Sequence, residues 1–396
     1  MQIRTRLDDR RVLIYSHDSF GLGHLSRCRA IANELVGRYK GISVLILSGS
    51  PVIGNFEFRA RVDFVRIPGI IKLKDGSYTS LGLHIELDQT LAIRESIIRH
   101  TAMAFDPDVF IVDKEPLGLE GEVRETLRML HSNGVPTILG EREVIDSPNT
   151  LAAEWGRKSA LPALGDLYDE IWVYGPEWFY DPFTGLDLDP VVAKKVIYTG
   201  YLPRGPAESQ SPPGLDRPYF LVTPGGGKDG EEMVDLVFEA CLACKSLPVD
   251  VLFVLGPFME EQKRKEFAER AQQYEHFHVI GYSTRMESLI QDAAGLVSMG
   301  GYNTFCEILS FDKPSIIIPR YEPRMEQLIR ARRAEELGLV RMLKPENFRV
   351  ECLVPLLENL GSQPPPSTKL RPGMLDGMDN ICRRVVQLLD RRARAA

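Results

Sequence analysis

The sequence predicts an α/β protein built from two doubly wound domains. Short apolar runs rich in Val and Ile recur without polar alternation, as strands buried on both faces do. Helical patterns separate many of them, which implies parallel strands with helices on both sheet faces. The alternation stops at "LPRGPAESQSPPGLDRP", which is nearly free of apolar residues, and then restarts.

Strands are expected in the first half at "RVLIYSH", "SVLILSG", "DFVRIP", "DVFIVDK", "PTILGER", "EIWVYG" and "VIYTGYL". After the first, Leu25, Cys28, Ala32, Leu35 and Val36 fall on one helical face, with Gly37 near its end. Strands of the second half are expected at "YFLVTPGGG", "VDVLFVLGP", "FHVIGY", "AGLVSMGG", "PSIIIPR" and "LVRML". A second proline-rich stretch, "GSQPPPSTKLRPG", precedes a last helix, "MDNICRRVVQLLDRR". The expected division is therefore a first Rossmann-like domain over 1–202, a linker over 203–217, a second domain over 218–365 and a tail helix within 366–396. Two such sheets facing each other would gather their loops around one cleft, where open α/β sheets bind ligands.

Composition narrows the function. The chain has 396 residues and a formal charge of −7, which argues against non-specific nucleic-acid binding. It contains no apolar stretch of membrane-spanning length, and "MQIRTRLDDRRVLIYS" is too weakly apolar for a signal peptide. Six cysteines without framework spacing fit reduced thiols, so a cytoplasmic protein is expected. Cys241 and Cys244 lie on an apolar helical pattern with no second ligand pair, and read as packing residues rather than a zinc site.

Five loops carry the chemistry. "FGLGHLSR" puts Gly21, Gly23 and His24 at the mouth of the first strand, with Arg27 beside them. Small residues there let a backbone approach a ligand, and a histidine is the natural base at neutral pH. His17 competes for that role. "TPGGGKDG" offers Gly225, Gly226 and Gly227 ahead of a helix, where N–H groups and the helix dipole favour an anion. It has neither the Walker nor the dinucleotide spacing.

"SMGGYNTFCE" adds Gly300 and Gly301, then Asn303 and Thr304 as helix caps or as donors to a diphosphate. Glu307 follows one turn later. A carboxylate near phosphates makes sense if it accepts hydrogen bonds from a ribose. "PRYEPRMEQLIRA" begins a helix near Pro323 and puts Glu326 and Gln327 in its first turn, suited to sugar hydroxyls. "GYSTRMESL" supplies Ser283 and Met286 as a shelf for a base.

The loops in this order resemble the donor domain of GT-B glycosyltransferases. They are most similar to the branch containing the lipid-linked N-acetylglucosaminyltransferase of peptidoglycan synthesis, and to uncharacterised glycosyltransferase-like proteins. The resemblance implies the GT-B fold and Glu307 on the ribose of UDP. It also implies Glu326 and Gln327 at the donor sugar, with Pro314 and Pro319 in step. Glu326 stands where that family has Gln, and Ser283 where it has an apolar residue. "GLGHLSRCRAIANEL" resembles the acceptor loop, and also that of a nucleotide-sugar hydrolase of sialic-acid-like sugar synthesis.

Three functions follow as expectations. The first is transfer from a nucleotide-diphosphate sugar, UDP-linked in the family resembled, to an acceptor that is lipid-linked there. The second is hydrolysis of the same donor, and the third is nucleotide-sugar binding without catalysis. His24 is the expected base, and Asp113, at the end of "DVFIVDK", its partner, with Lys114 beside it. Glu141 and Arg142 have a weaker claim. Backbone N–H groups would serve the leaving diphosphate, so no metal and no cofactor are expected. Trp178, Phe179, Tyr180 and Phe183 are expected to pack between domains or to touch a membrane. Contact with a membrane would be peripheral at most.

Overall fold

The structure is a computed structural model that describes all residues except 1–4, 18–21, 74–77, 158–159, 207–214, 216, 246 and 396. The chain divides into two units, Met1–Leu202 with Asp376–Ala396, and Pro203–Leu375.

The first unit runs β1 (Thr5–Ser16), α1 (Gly23–Arg38), β2 (Tyr39–Ser48), β3 (Val62–Arg66), β4 (Ile70–Lys72), β5 (Tyr78–Ser80) and α2 (Leu87–Phe105). It continues through β6 (Val109–Asp113), α3 (Arg124–Ser132), β7 (Thr137–Arg142), α4 (Pro148–Arg157) and α5 (Ala160–Leu167). It closes with β8 (Glu170–Tyr174), α6 (Pro190–Ala193) and β9 (Val196–Tyr198). Seven strands form one parallel sheet in the order β3-β2-β1-β6-β7-β8-β9. The β4–β5 antiparallel hairpin was not expected, because its three-residue strands carry no readable period.

The second unit runs β10 (Tyr219–Thr223), α7 (Glu231–Ala243), β11 (Asp250–Val254), α8 (Glu261–Ala271), β12 (Phe277–Ile280) and α9 (Met286–Asp292). It ends with β13 (Gly295–Ser298), α10 (Tyr302–Ser310), β14 (Ser315–Ile317), α11 (Glu326–Glu336), β15 (Arg341–Met342) and α12 (Val350–Glu358). Its six strands are parallel, in the order β12-β11-β10-β13-β14-β15. In both units the first strand is central and the chain later crosses to its other side, which defines a switch point between β1 and β6 and another between β10 and β13.

The strands are apolar on both faces because helices cover both. The second unit's core, for example, packs Phe220 and Phe253 of the sheet against Phe238 of α7. Beneath β1, Tyr15 donates its hydroxyl to Glu122 at 2.8 Å, and Arg94 reaches the same carboxylate oxygen at 2.8 Å. All three are buried, and the paired charges satisfy one another.

The last helix, α13 (Gly377–Ala395), is not a separate tail. It belongs to the first unit, where Met378, Ile381, Cys382, Val385, Leu388 and Leu389 are buried, while residues 366–375 belong to the second. Asn380 donates to the Thr199 carbonyl at 2.7 Å, and Arg384 pairs with Glu170. Of the aromatic cluster, Phe179 and Phe183 pack inside the first unit, while Trp178 and Tyr180 are half-buried. Phe179 packs on Tyr201 with ring centroids 5.4 Å apart, and Phe183 on Trp155 at 6.0 Å. Cys241 and Cys244 are free thiols on and just after α7. Among the described residues no helix is long and apolar enough to cross a membrane.

Candidate active site

The motifs fall at the carboxyl ends of strands beside the two switch points, where open α/β sheets bind ligands. In the first unit, Ser16 at the end of β1 pairs with Asp113 at the end of β6. Gly21 lies outside the described residues; Gly23 is the first residue of α1, so His24 sits in a helical turn rather than on a free loop. His24 Nδ1 lies 2.6 Å from Asp113 Oδ2.

Arg27, three residues on and so on the same helix face, was expected on the acceptor-side loop. It is instead only 1% exposed and turned onto Asp113. Its Nε donates to Oδ1 at 2.8 Å and its Nη2 to Oδ2 at 2.7 Å. Nη2 also lies 3.1 Å from His24 Nδ1. Losing one member of such a buried pair costs about 3–5 kcal/mol, because the other charge is stranded.

Burial alone would raise the Asp113 carboxyl, but Arg27 and His24 outweigh it and hold the group well below the usual carboxylate range. An ionised carboxylate only accepts hydrogen bonds, so Nδ1 carries the histidine proton and Nε2 keeps its lone pair. Burial pushes the imidazole down to about 4, against the upward pull of Asp113. His24 is therefore uncharged at neutral pH, with its side chain 18% exposed. Its bare Nε2 can accept a proton, and burial leaves the ring a weaker base than an exposed histidine. His17 is more deeply buried and packs edge-on to His24, with centroids 5.6 Å apart.

Lys114 follows Asp113 with a left-handed φ of 74°. A side chain in that region costs about 1–3 kcal/mol and collects at functional sites. Its N–H donates to the Gly140 carbonyl at 2.8 Å, and its ammonium pairs with Glu115 at 3.0 Å. Glu141 on β7 is fully buried, and neither carboxyl oxygen has a hydrogen-bond partner among the described residues. Burial, then the neighbouring Glu115, push this carboxyl well above its ordinary value.

In the second unit, Gly225, Gly226 and Gly227 follow β10. Gly227 has a φ of 93°, and a Cβ there would lie 2.4 Å from the Leu255 carbonyl, so only glycine fits. Gly301 caps α10, which puts Asn303 and Thr304 inside the helix rather than at its cap. Asn303 accepts from Arg204 Nη2 at 3.0 Å. Glu307 lies one turn further along α10 and is buried. Ser283 accepts from the Arg285 N–H at 3.1 Å, and Met286, half-buried, opens α9.

Glu326 and Gln327 begin α11, as expected, but both are buried against Arg320. Arg320 Nη2 donates to Glu326 at 2.7 Å, its N–H to Gln327 Oε1 at 3.1 Å and its Nη1 to Asp229 at 2.6 Å. Pro323 follows a cis peptide in the turn before α11, not the helix itself. Arg320 was not singled out by sequence, since "PSIIIPR" reads as a strand with a polar end. It lines a pocket of about 470 Å³ with Lys228, Met299, Ile318, Tyr321 and Phe348.

Two Asp-x-Asp pairs of the kind that hold ions in other transferases do occur, at 106–108 and 187–189. Asp108 takes the Arg11 N–H at 2.9 Å, and Asp189 caps α6 by accepting from the Val191 N–H at 2.7 Å. Among the described residues no group of three or more His, Cys, Asp or Glu side chains is placed to hold a metal ion.

Residues 225–370 match the glycosyltransferase family 28 C-terminal domain. An uncharacterised glycosyltransferase of Methanosarcina mazei is 26% identical over 361 residues, covering 86% of this chain and 88% of its own. A UDP-N-acetylglucosamine–N-acetylmuramyl-(pentapeptide) pyrophosphoryl-undecaprenol N-acetylglucosamine transferase of Exiguobacterium is 28% identical over 43% of this chain and 48% of its own. Among solved structures, the glycotransferase of kitacinnamycin superposes with a TM-score of 0.60 at 15% identity, covering 97% of this chain and 99% of that one. MurG of Acinetobacter baumannii superposes with a TM-score of 0.58 at 13% identity, covering 96% and 99%.

Fold and matches together define a glycosyltransferase of the GT-B fold. Residues 225–370 of its second unit are similar to the family 28 C-terminal domain.

Proposed function

We propose that this enzyme transfers a glycosyl group from a UDP-sugar to an acceptor hydroxyl, with His24 as the base. One observation carries the reading: a histidine whose Nδ1 is 2.6 Å from Asp113 Oδ2, beside the switch point of the first sheet. In the step, His24 Nε2 takes the hydroxyl proton as that oxygen bonds to the anomeric carbon. The bond from that carbon to the diphosphate breaks, and the diphosphate leaves with the electron pair. Asp113 stabilises the imidazolium that forms.

The donor groups belong to the second unit. N–H groups of Gly226 and Gly227, next to Gly225 whose own N–H donates to Thr223 Oγ1 at 3.1 Å, and of the first turn of α10, at Gly301, Asn303 and Thr304, would hold the diphosphate. Glu307 would take the ribose hydroxyls, with Ser283 and Met286 against the base. A pocket of about 470 Å³ in the same unit, lined among others by Lys228, Asp229, Glu231, Glu232 and Glu322, has the volume of a small-ligand site, and in its wall Arg320 is held by Asp229, Glu326 and Gln327. The similarity to a transferase named for UDP-N-acetylglucosamine supports uracil as the base and a lipid-linked acceptor. The free cysteines and the lack of a spanning helix among the described residues support a cytoplasmic site of action.

His24→Gln tests the base directly. Turnover of the UDP-sugar, read as UDP release, should fall by ~10²–10⁴, the usual contribution of a general base. UDP affinity, read by calorimetry, should stay within about twofold. Turnover within a few-fold of the parent would place the base elsewhere. UDP release without any acceptor would show that water occupies the acceptor position.

A further inference from the structure

The buried Arg27 has a second neighbour that neither the fold nor the proposed chemistry accounts for. Its guanidinium carbon lies 5.6 Å from the centroid of the Tyr174 ring. Tyr174 ends β8 and is fully buried. Its hydroxyl is seated over Gly140 of β7, where a Cβ would lie 1.9 Å from that oxygen. Glycine inside a strand weakens it, and its usual reason is close approach by another group. Here that group is the ring beneath Arg27. From Gly140 the contacts run through Tyr174 to Arg27, then to both oxygens of Asp113, and so to His24.

The charges facing His24 are Asp113 and Lys114 from the end of β6 and Arg27 from its own helix, with His17 from the end of β1 against its ring. Asp113 is the one anion among them in the described residues, and left to itself it would pair with a protonated imidazole. A protonated imidazole has no lone pair and cannot act as a base. Arg27 engages both carboxylate oxygens, so the Asp113 charge is already balanced when His24 Nδ1–H meets it.

We propose that Arg27, seated on Tyr174 over Gly140, is a positioning residue: by balancing Asp113 it adds to burial in keeping His24 uncharged with Nε2 bare. The proposal rests on the reading of His24 as the base, and it makes the arginine of "GHLSR" part of the proton-transfer apparatus. A purely structural role, pinning α1 to the sheet, would leave the protonation of His24 unchanged once the variant is folded.

The test is nitrogen-15 NMR of the histidine rings in the full-length protein across pH, which needs no acceptor and no turnover. The chain has seven histidines, and loss of one signal set in His24→Gln assigns the ring. In the parent, His24 should show a protonated Nδ1, a bare Nε2 and a titration midpoint near 4. In Arg27→Met the midpoint should climb above the parent's towards the ordinary ~6.5, with burial still holding it below that value. Tyr174→Leu should move it in the same direction by less, and Tyr174→Phe, which keeps the ring, should match the parent. Should Arg27→Met fail to fold, Arg27→Lys, which keeps the charge but not the two-pronged bond, carries the test with a smaller upward movement expected. A folded Arg27 variant whose His24 spectrum and midpoint equal the parent's overturns the proposal. That outcome is separate from failure of the base itself, which would appear as undiminished UDP release in His24→Gln.

Discussion

Glu141 holds a carboxyl inside the first unit whose two oxygens meet no hydrogen-bond partner among the described residues. Its proton is bound more tightly in the folded than in the unfolded chain, since burial and Glu115 raise it. As pH rises past the ordinary glutamate value the unfolded state ionises first, and stability declines until the folded carboxyl also ionises. Asp113 acts with the opposite sign, because its depressed carboxyl gives stability that is lost in acid. Replacing Glu141 by Gln keeps the shape and removes the proton. Its melting temperature relative to the parent should therefore rise between pH 5 and pH 8, following a slope of up to about 1.4 kcal/mol per pH unit for one group. Parallel melting curves for the two proteins over that range would show that Glu141 ionises normally. The pairing of His24 with Asp113 was foreseeable in the sequence because Asp113 ends one strand and His24 opens the helix that follows the neighbouring strand. The place of Arg27 was legible only in its spacing from His24, which does not say whether a side chain faces solvent or carboxylate.

Strand β7 shows why the elements were easy to read and their reasons were not. "PTILGER" reads as a buried strand from its apolar run alone. The glycine in it answers to Tyr174 on β8, a contact made across the sheet. Gly140→Ala should force the ring aside and lower stability by about 1–3 kcal/mol, the usual cost of overpacking a core. Denaturant unfolding measures this, and a variant as stable as the parent would mean the Tyr174 ring has room to move. Helices α10 and α11 make the same point from the other side. Their first turns were placed correctly, but the period of a helix does not say what each face meets. Glu326 and Gln327 turned out to hold Arg320, and Asn303 to hold Arg204, rather than to stand open. The β4–β5 hairpin escaped notice because strands of three residues carry too little pattern.

Over the whole molecule, the two parallel sheets followed from composition alone, because strands buried on both faces leave uninterrupted Val and Ile runs. The assignment of α13 did not, since its apolar face fits any apolar surface and only the fold shows that it covers the first unit. The central claim is that this GT-B glycosyltransferase takes its sugar from a nucleotide diphosphate held by the second unit. Phosphorus NMR of the full-length protein with a panel of nucleotide-sugars, without acceptor, tests it most directly. The expected result is broadening or slow release of the diphosphate with UDP-sugars, abolished in Glu307→Ala. Sharp, unchanged lines for every nucleotide-sugar in the panel would contradict it.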